Sequence, residues 1–308
     1  MILCCGEALI DMIPEPTTSG RSGFVPHCGG AIFNTALALG RLGAPAGLLT
    51  GMSRDRFGEQ LMSALADAGV DSRFAIRTDR PTTLAFVQVE DGQAQYTFVD
   101  ENSAGRMLQL TDFPTLTADV SALYMGGISL ACAPGAAAYA GFLAREHAGR
   151  AVMIDPNIRA GFITDETAYR KRLSELIRLA DIVKVSDEDL NWLAEADRSG
   201  TVAARDLLHE GPSVVIVTEG ASGARAYLKN GDEVFVPAVP AKVVDTVGAG
   251  DTFNAGVLFA LLSAGLLSKA ALRICTAPQI EQALAFGARV ASVTVSRAGA
   301  NPPWLSEV

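Results

Sequence analysis

Strand-like apolar runs alternate with amphipathic stretches along most of this 308-residue chain, and that alternation restricts the folds open to it more than any other feature. Residues 46–52 (AGLLTGM) read as a buried strand, and residues 57–68 (FGEQLMSALADA) repeat apolar side chains at helical spacing. The pattern returns at residues 122–127 (ALYMGG), in a helical stretch over 136–146, and at 151–156 (AVMIDP). A helix over 169–179 and the strand-like runs 181–186 (DIVKVS) and 213–220 (SVVIVTEG) continue it. Strands separated by helices predict an α/β fold whose mainly parallel sheet is covered on both faces. In such sheets ligands collect beyond the carboxyl ends of the strands, so the residues just after each strand are the candidates for chemistry.

Two segments break the alternation. Residues 82–90 (TTLAFVQVE) and 95–100 (QYTFVD) flank Asp91-Gly92, which marks a β-hairpin. Together with residues 9–15 they predict a small sheet beside the main one. No polar linker, low-complexity tract or internal repeat divides the chain, so one domain is expected over residues 1–308. Its lid is expected to comprise approximately residues 9–26 and 81–104.

Composition narrows the partners. A formal net charge of -9 argues against a nucleic-acid backbone, although a small anion site is governed by its local groups. No apolar run approaches the roughly 18 residues of a membrane span. The opening MILCCGEALIDM lacks a basic leader before a long apolar core, and the five cysteines show no metal-ligand spacing. A cytoplasmic protein is expected.

The chemistry concentrates in a few strand-end segments. Residues 243–256 read VVDTVGAGDTFNAG and precede the helix-like run AGVLFALL. Gly248-Ala249-Gly250-Asp251 therefore falls at a helix N-terminus, where unpaired amides and the helix dipole attract an anion. No lysine follows the glycines, as a P-loop would require. Asp251 either stands beside a transferring phosphoryl group as a base or caps the helix, a duty worth about 1 kcal/mol.

Asp11, near the end of the first strand-like run GEALIDMIP, is a hydroxyl acceptor or a turn aspartate ahead of Pro14. Gly29-Gly30 leads into AIFNTALALGRLG, with Asn34 in the first turn of the expected helix. An amide there can fix a polyol hydroxyl, or the segment is an ordinary helix start. DPNIRAGF places Asp155, Asn157 and Arg159 after a strand, where arginine can clamp phosphate or make an exposed ion pair. KVSDEDL, beginning at Lys184, gathers carboxylates that can organise Mg²⁺ through water or begin a helix. Thr218, Gly220 and Gly223 border a nucleotide or form a tight turn.

Jointly these residues resemble the ribokinase-like carbohydrate kinases, also called the phosphofructokinase B family. GGAIFNTALALGRLG and DTVGAGD are its two signatures here, and the resemblance spans essentially the whole chain. It implies a three-layer α/β/α ribokinase-like fold with a mainly parallel central sheet and a small β-sheet lid. It further implies ATP-dependent phosphorylation of a sugar hydroxyl, with Mg²⁺. By that likeness Asp251 is the catalytic base, and the Gly248, Ala249, Gly250 and Asp251 amides form the anion hole. Asp11, Gly29, Gly30 and Asn34 resemble sugar contacts. Lys184, Ser186, Thr218, Gly220 and Gly223 fall along the nucleotide edge, which Gly248 and Gly250 complete.

GEALIDM, FVPHCGGAIFNTA, RPTTLAFV, YTFVDENSAGRML, DPNIR and SRAGANPPW are similar to the bacterial fructokinase branch. That likeness brings Arg159 to the sugar or the transferred phosphate and lays Phe98 over the sugar from the lid; Phe86 is a second lid candidate. The family's Asn-x-x-Glu motif is Ser186-Asp187-Glu188-Asp189 here, with Asp189 the candidate Mg²⁺ ligand through water. Many members also bind a monovalent cation such as K⁺. Asp245, the Val247 carbonyl and Gly299 match that site, while Pro303 stands where some members carry serine. The resemblance leaves open a homodimer through the lid. Rival readings are a 2-keto-3-deoxygluconate kinase, which Arg106 would serve, a nucleoside kinase, and a non-catalytic sugar sensor.

Overall fold

A computed structural model describes the chain except residues 91, 92, 195–197 and 199. Its strands in chain order are β1 Ile2–Cys5, β2 Leu9–Pro16, β3 Ser22–Gly29, β4 Ala46–Ser53, β5 Ala75–Thr78, β6 Thr83–Glu90 and β7 Gln93–Val99. They continue with β8 Ala122–Gly126, β9 Ala151–Asp155, β10 Ile182–Ser186, β11 Val214–Thr218, β12 Gly223–Leu228 and β13 Glu233–Pro237. Nine form one sheet in the order β13-β12-β11-β10-β9-β8-β1-β4-β5. From β5 to β11 neighbours are parallel, and β12 and β13 add an antiparallel edge.

Side chains alternate across each strand, so Ile2 and Cys4 face one way and Leu3 and Cys5 the other. Both sets are fully buried, in separate cores. One core is closed by helices Ala31–Arg41, Arg56–Asp67, Ala249–Ser263 and Ala277–Val295. The other is closed by Gly135–Glu146, Glu166–Ile177, Asp187–Leu193 and Gly200–Glu210. Three layers result, and the continuous apolar runs of β1, β8 and β9 follow from burial on both faces.

The remaining four strands form a second sheet in the order β3-β2-β6-β7. β6 and β7 pair antiparallel from Leu84–Val99 to Glu90–Gln93. The expected Asp91-Gly92 turn lies outside the described residues. As expected for residues 9–15, Asp11 lies in the small sheet, as the third residue of β2, while β1 of the main sheet ends at Cys5. The run GEALIDMIP thus holds a break between two sheets rather than one strand. β3 carries no clear strand signal in the sequence, because Pro26 and its glycines interrupt the apolar pattern, features tolerated at a sheet edge.

Strand order reverses at β1. The chain proceeds from β1 to β4 and β5 on one side and to β8, β9, β10 and β11 on the other. The crevice at such a switch point is where a ligand fits.

Candidate active site

At that switch point a cavity of about 340 Å³ opens between the carboxyl ends of the core strands and the small sheet. Glu7 reaches it just after β1, Ile128 after β8, Asp155 from the end of β9 and Lys184 from β10. Asp11 and Phe98 line it from the small sheet, Asn34 from one helix start and Gly248, Gly250 and Asp251 from another. Arg159 completes it from the loop after β9.

Helix Ala249–Ser263 begins at Gly248, whose φ of 77° is left-handed, and a Cβ there would stand 2.7 Å from the Ala300 Cβ. The conformation and the crowding both call for glycine. Asp251 is the third residue of this helix and makes no capping hydrogen bond, so the capping reading does not hold. Its carboxylate instead turns across the crevice, where Asn34 Nδ2 donates to Asp251 Oδ2 at 2.9 Å. Thr35 Oγ1 donates to the Asp251 carbonyl at 3.1 Å, so the two helix starts are joined twice. The Ala249 amide donates to the Thr246 carbonyl at 3.2 Å, leaving Gly250 and Asp251 to present first-turn amides.

Burial pushes the Asp251 carboxyl up to about 7, with Asp155 adding to the rise and the Asn34 hydrogen bond, Lys184 and Arg159 opposing it. Burial likewise lifts Asp11 to about 6. Asp11 Oδ2 occupies the space a Cβ on Gly29 would take, so only glycine fits at this diagonal neighbour on β3, whose direct partner on β2 is Leu9. Asn34 Oδ1 is buried without a hydrogen-bond partner among the described residues.

Asp155 forms a buried ion pair with Lys184. Lys184 Nζ donates to Asp155 Oδ2 at 3.0 Å, with both side chains buried. Asn254 Nδ2 donates to the same oxygen at 2.7 Å and lies 2.9 Å from the Tyr124 hydroxyl. Arg159 is exposed and folds back on its own loop, its Nη1 donating to the Ile158 carbonyl at 3.1 Å.

Phe98 packs edge-on against Phe162 at 4.7 Å and beside Tyr96 at 6.0 Å. Phe86 lies on the opposite face of the small sheet, against Phe24 at 5.2 Å. Gly30 lines the cavity, whereas Gly29 serves it through Asp11.

Of the expected nucleotide edge, Lys184, Gly248 and Gly250 line the cavity, whereas Ser186, Thr218, Gly220 and Gly223 lie outside its lining. Ser186 and Thr218 are partners across β10 and β11. Ser186 caps helix Asp187–Leu193 by accepting from the Asp189 amide. Gly220 and Gly223 follow β11, and Gly223 opens β12. Asp189 is buried; its Oδ1 accepts from the Ile158 amide at 3.1 Å, and burial, then Asp155, raises it to about 6. Asp245 accepts from the Val247 amide at 3.0 Å and the Gly299 amide at 2.8 Å, which gathers the three candidate cation-site residues.

Glu7 carries no signal in the sequence, yet it is buried and lines the cavity. It accepts from the Ala31 amide at 3.1 Å, from the Ser129 amide at 3.3 Å and from the Ser129 hydroxyl. A lone glutamate after a short apolar run carries no spacing signal, because Ser129 is 122 residues away.

Comparison with known proteins agrees with this architecture. The chain is 49% identical to a fructokinase of Rhizobium leguminosarum bv. trifolii over 87% of its own length and 82% of that protein's. It superposes on a fructokinase of Xylella fastidiosa with bound ATP at a TM-score of 0.90, with 30% identity, covering 99% of this chain and 96% of that one. A fructokinase of Vibrio cholerae O395 in fructose-, ADP- and calcium-bound form matches at 0.81, with 26% identity over 97% and 94% of the two chains. Residues 1–307 match the pfkB family of carbohydrate kinases, and the chain belongs to that family.

Proposed function

We propose that this chain is an ATP-dependent fructokinase that transfers the γ-phosphoryl group of ATP to the primary 6-hydroxyl of D-fructose. The observation that carries the reading is the Asn34–Asp251 pair, a buried carboxylate held at a helix N-terminus inside the switch-point crevice. Its setting in a chain 49% identical to a fructokinase supports the choice of sugar.

Fructose occupies the half bounded by Asp11, Gly30, Asn34 and Phe98, where Asp11 and the unpartnered Asn34 Oδ1 accept sugar hydroxyls. The attacking hydroxyl gives its proton to Asp251 as its oxygen bonds to phosphorus and the bond to the ADP oxygen breaks. A carboxyl near 7 suits that exchange at neutral pH. The first-turn amides take up charge on the phosphoryl oxygens, so positioning and electrostatics provide the catalysis. Arg159 reaches the sugar or the transferred phosphate from the cavity's edge.

The small sheet, with residues 9–26 and 81–104, acts as a lid on a single kinase domain spanning residues 1–308 and excludes water from the reaction. Its outer face is the candidate homodimer surface. Mg²⁺ belongs with the nucleotide. No cluster of three His, Cys, Asp or Glu that could hold a metal occurs among the described residues, which fits an ion carried by phosphates and at most one carboxylate, Asp189. When bound, the ion neutralises phosphate charge. Asp245 spends its carboxylate on two amides, leaving backbone carbonyls of Val247 and Gly299 as the ligands for K⁺. Among the described residues no helix is long and apolar enough to cross a membrane. The five cysteines are all free, which supports a reducing compartment such as the cytoplasm.

A neutral sugar is favoured over 2-keto-3-deoxygluconate by Arg106. Its guanidinium lies 3.7 Å from Asp100 and donates to the Ala133 carbonyl, beside a separate small cavity rather than the main one. An ADP-release assay with fructose, ribose, 2-keto-3-deoxygluconate and a nucleoside tests the proposal, with fructose expected to have the highest kcat/KM. A preference for the keto acid would replace fructose, and sugar binding without ADP release would make the protein a sensor.

A further inference from the structure

Among the described residues the small sheet lines the cavity with Leu9, Asp11, Tyr96 and Phe98, and of these only Asp11 and Tyr96 carry side chains that hydrogen-bond. Strand pairing sets them on one face. Asp11 stands opposite Ala85, and Ala85 opposite Phe98, so the three share the side turned to the core strands. Tyr96 precedes Phe98 by two residues on β7 and lies on the same side.

The Tyr96 ring stacks on Phe98, with 19° between their planes and 6.0 Å between centroids. A phenylalanine would serve that stack and the edge strand equally well, so the hydroxyl needs a separate reason. It makes no hydrogen bond among the described residues. The charges acting on it belong to the site: Asp11 most strongly, then Arg159, Asp245 and Asp251. These four stand on β2, on the loop after β9, before the Gly248 turn and in its helix, so the phenol looks into the space they surround. Burial first, and Asp11 next, hold the phenol above its ordinary value, which keeps its proton available for donation at neutral pH.

We propose that Tyr96 is a specificity-determining residue, whose hydroxyl hydrogen-bonds a sugar hydroxyl on the Asp11 side of the cavity, other than the one that is phosphorylated. Phe98 then covers the sugar without discriminating among its hydroxyls, while Tyr96 reads one of them from the same strand. A sugar lacking that group leaves the phenol unpaired when the lid closes, and is bound less well. The inference rests on the kinase reading above and names the lid residue that selects its substrate.

The test compares wild type with Tyr96→Phe, which keeps the ring stack and removes one oxygen. Substrates are D-fructose, its 1-, 3- and 4-deoxy analogues and 2,5-anhydro-D-mannitol, which between them lack each furanose hydroxyl except the one phosphorylated. On fructose we expect kcat/KM to fall about tenfold in the variant, the fold-change of one lost hydrogen bond, with the KM for ATP unchanged. On one analogue the two proteins should perform alike, because the hydroxyl that Tyr96 reads is already missing. A variant that matches wild type on fructose overturns the proposal. So does an equal loss on fructose and every analogue, which would make the hydroxyl a support of the lid. In wild-type protein the ¹³Cζ signal of Tyr96 should move with fructose and stay in place with one of the analogues. A signal indifferent to fructose overturns the assignment even if the variant does not fold. Wild-type protein that releases no ADP with any sugar would count against the kinase reading instead, so the two failures are separable.

Discussion

The Asn34 amide donates to the Asp251 carboxylate at 2.9 Å across 217 residues of chain. This bond joins the two glycine-rich signatures directly, one at each helix start. It makes helices Ala31–Arg41 and Ala249–Ser263 a single unit around a carboxylate that water barely reaches. Function and stability conflict at such a residue, because burial disfavours the charged form that a base requires.

Replacing Asp251 with asparagine should therefore abolish turnover and stabilise the fold at neutral pH. The folded carboxyl titrates near 7 against an ordinary value of 3.8. Below the ordinary value both states are protonated and nothing is lost. As pH rises through the window between the two values the unfolded chain releases a proton that the folded one keeps, so stability declines across it. Above 7 the loss is complete. At roughly 1.4 kcal/mol per unit, the cost is on the order of a few kcal/mol. Thermal melts at pH 4 and pH 8 should show the Asp251→Asn advantage only at the higher pH. A variant with wild-type phosphorylation would remove Asp251 from the role of base.

The same titrations predict the acid limb of activity. If Asp251 must be ionised to receive the proton, kcat/KM for fructose falls as pH drops below about 7. Asp11, titrating near 6, should add a second loss through weaker sugar binding at still lower pH. In Asp11→Asn the profile should keep the upper step and lose the lower one. An unchanged lower step would assign it to another group.

Glu7 leads to a prediction of a different kind. It ties the end of β1 to the Ala31 amide and to Ser129, so it fixes the helix start that carries Asn34. Glu7→Gln keeps the shape but offers one acceptor fewer, and should raise the fructose KM by about tenfold, the equivalent of one lost net hydrogen bond. The KM for ATP should hardly move, since the amides at Gly250 and Asp251 do not depend on Glu7. Parallel rises in both constants would point to general loosening of the fold instead.

Much of this site was legible because its residues follow strands at predictable places. Asp11, Asn34, Arg159 and Asp251 could be located from strand runs and helix starts and Phe98 from the family likeness, and all five line the cavity. What sequence patterns miss are partners supplied by topology. The bond from Asn254 to Asp155 spans 99 residues and unites a helix with a strand end. Asp251 looked like a helix cap because caps are local, and only the crossing of Asn34 redirects it. Thr218, Gly220 and Gly223 sit at strand ends too, but β11 lies two strands beyond β9, away from the cavity. The edge strands β12 and β13 follow β11 antiparallel with no helix between them, so they fall outside the strand–helix alternation that marks the core strands.

Gly248 and Gly265 allow the backbone and the site to be separated. Both hold left-handed conformations, with φ of 77° at the start of helix Ala249–Ser263 and 70° just past its end. An alanine at either position meets the same intrinsic strain, about 1–2 kcal/mol. At Gly265 the new methyl meets nothing within 4 Å, whereas at Gly248 it presses on Ala300. Gly265→Ala should lower the melting temperature by a few degrees and leave fructose phosphorylation intact. Gly248→Ala should also displace the first-turn amides and lower kcat by about 10²-fold, the scale of one lost oxyanion donor. Equal activity in the two variants would mean that the turn at Gly248 serves the helix alone and takes no part in phosphoryl transfer.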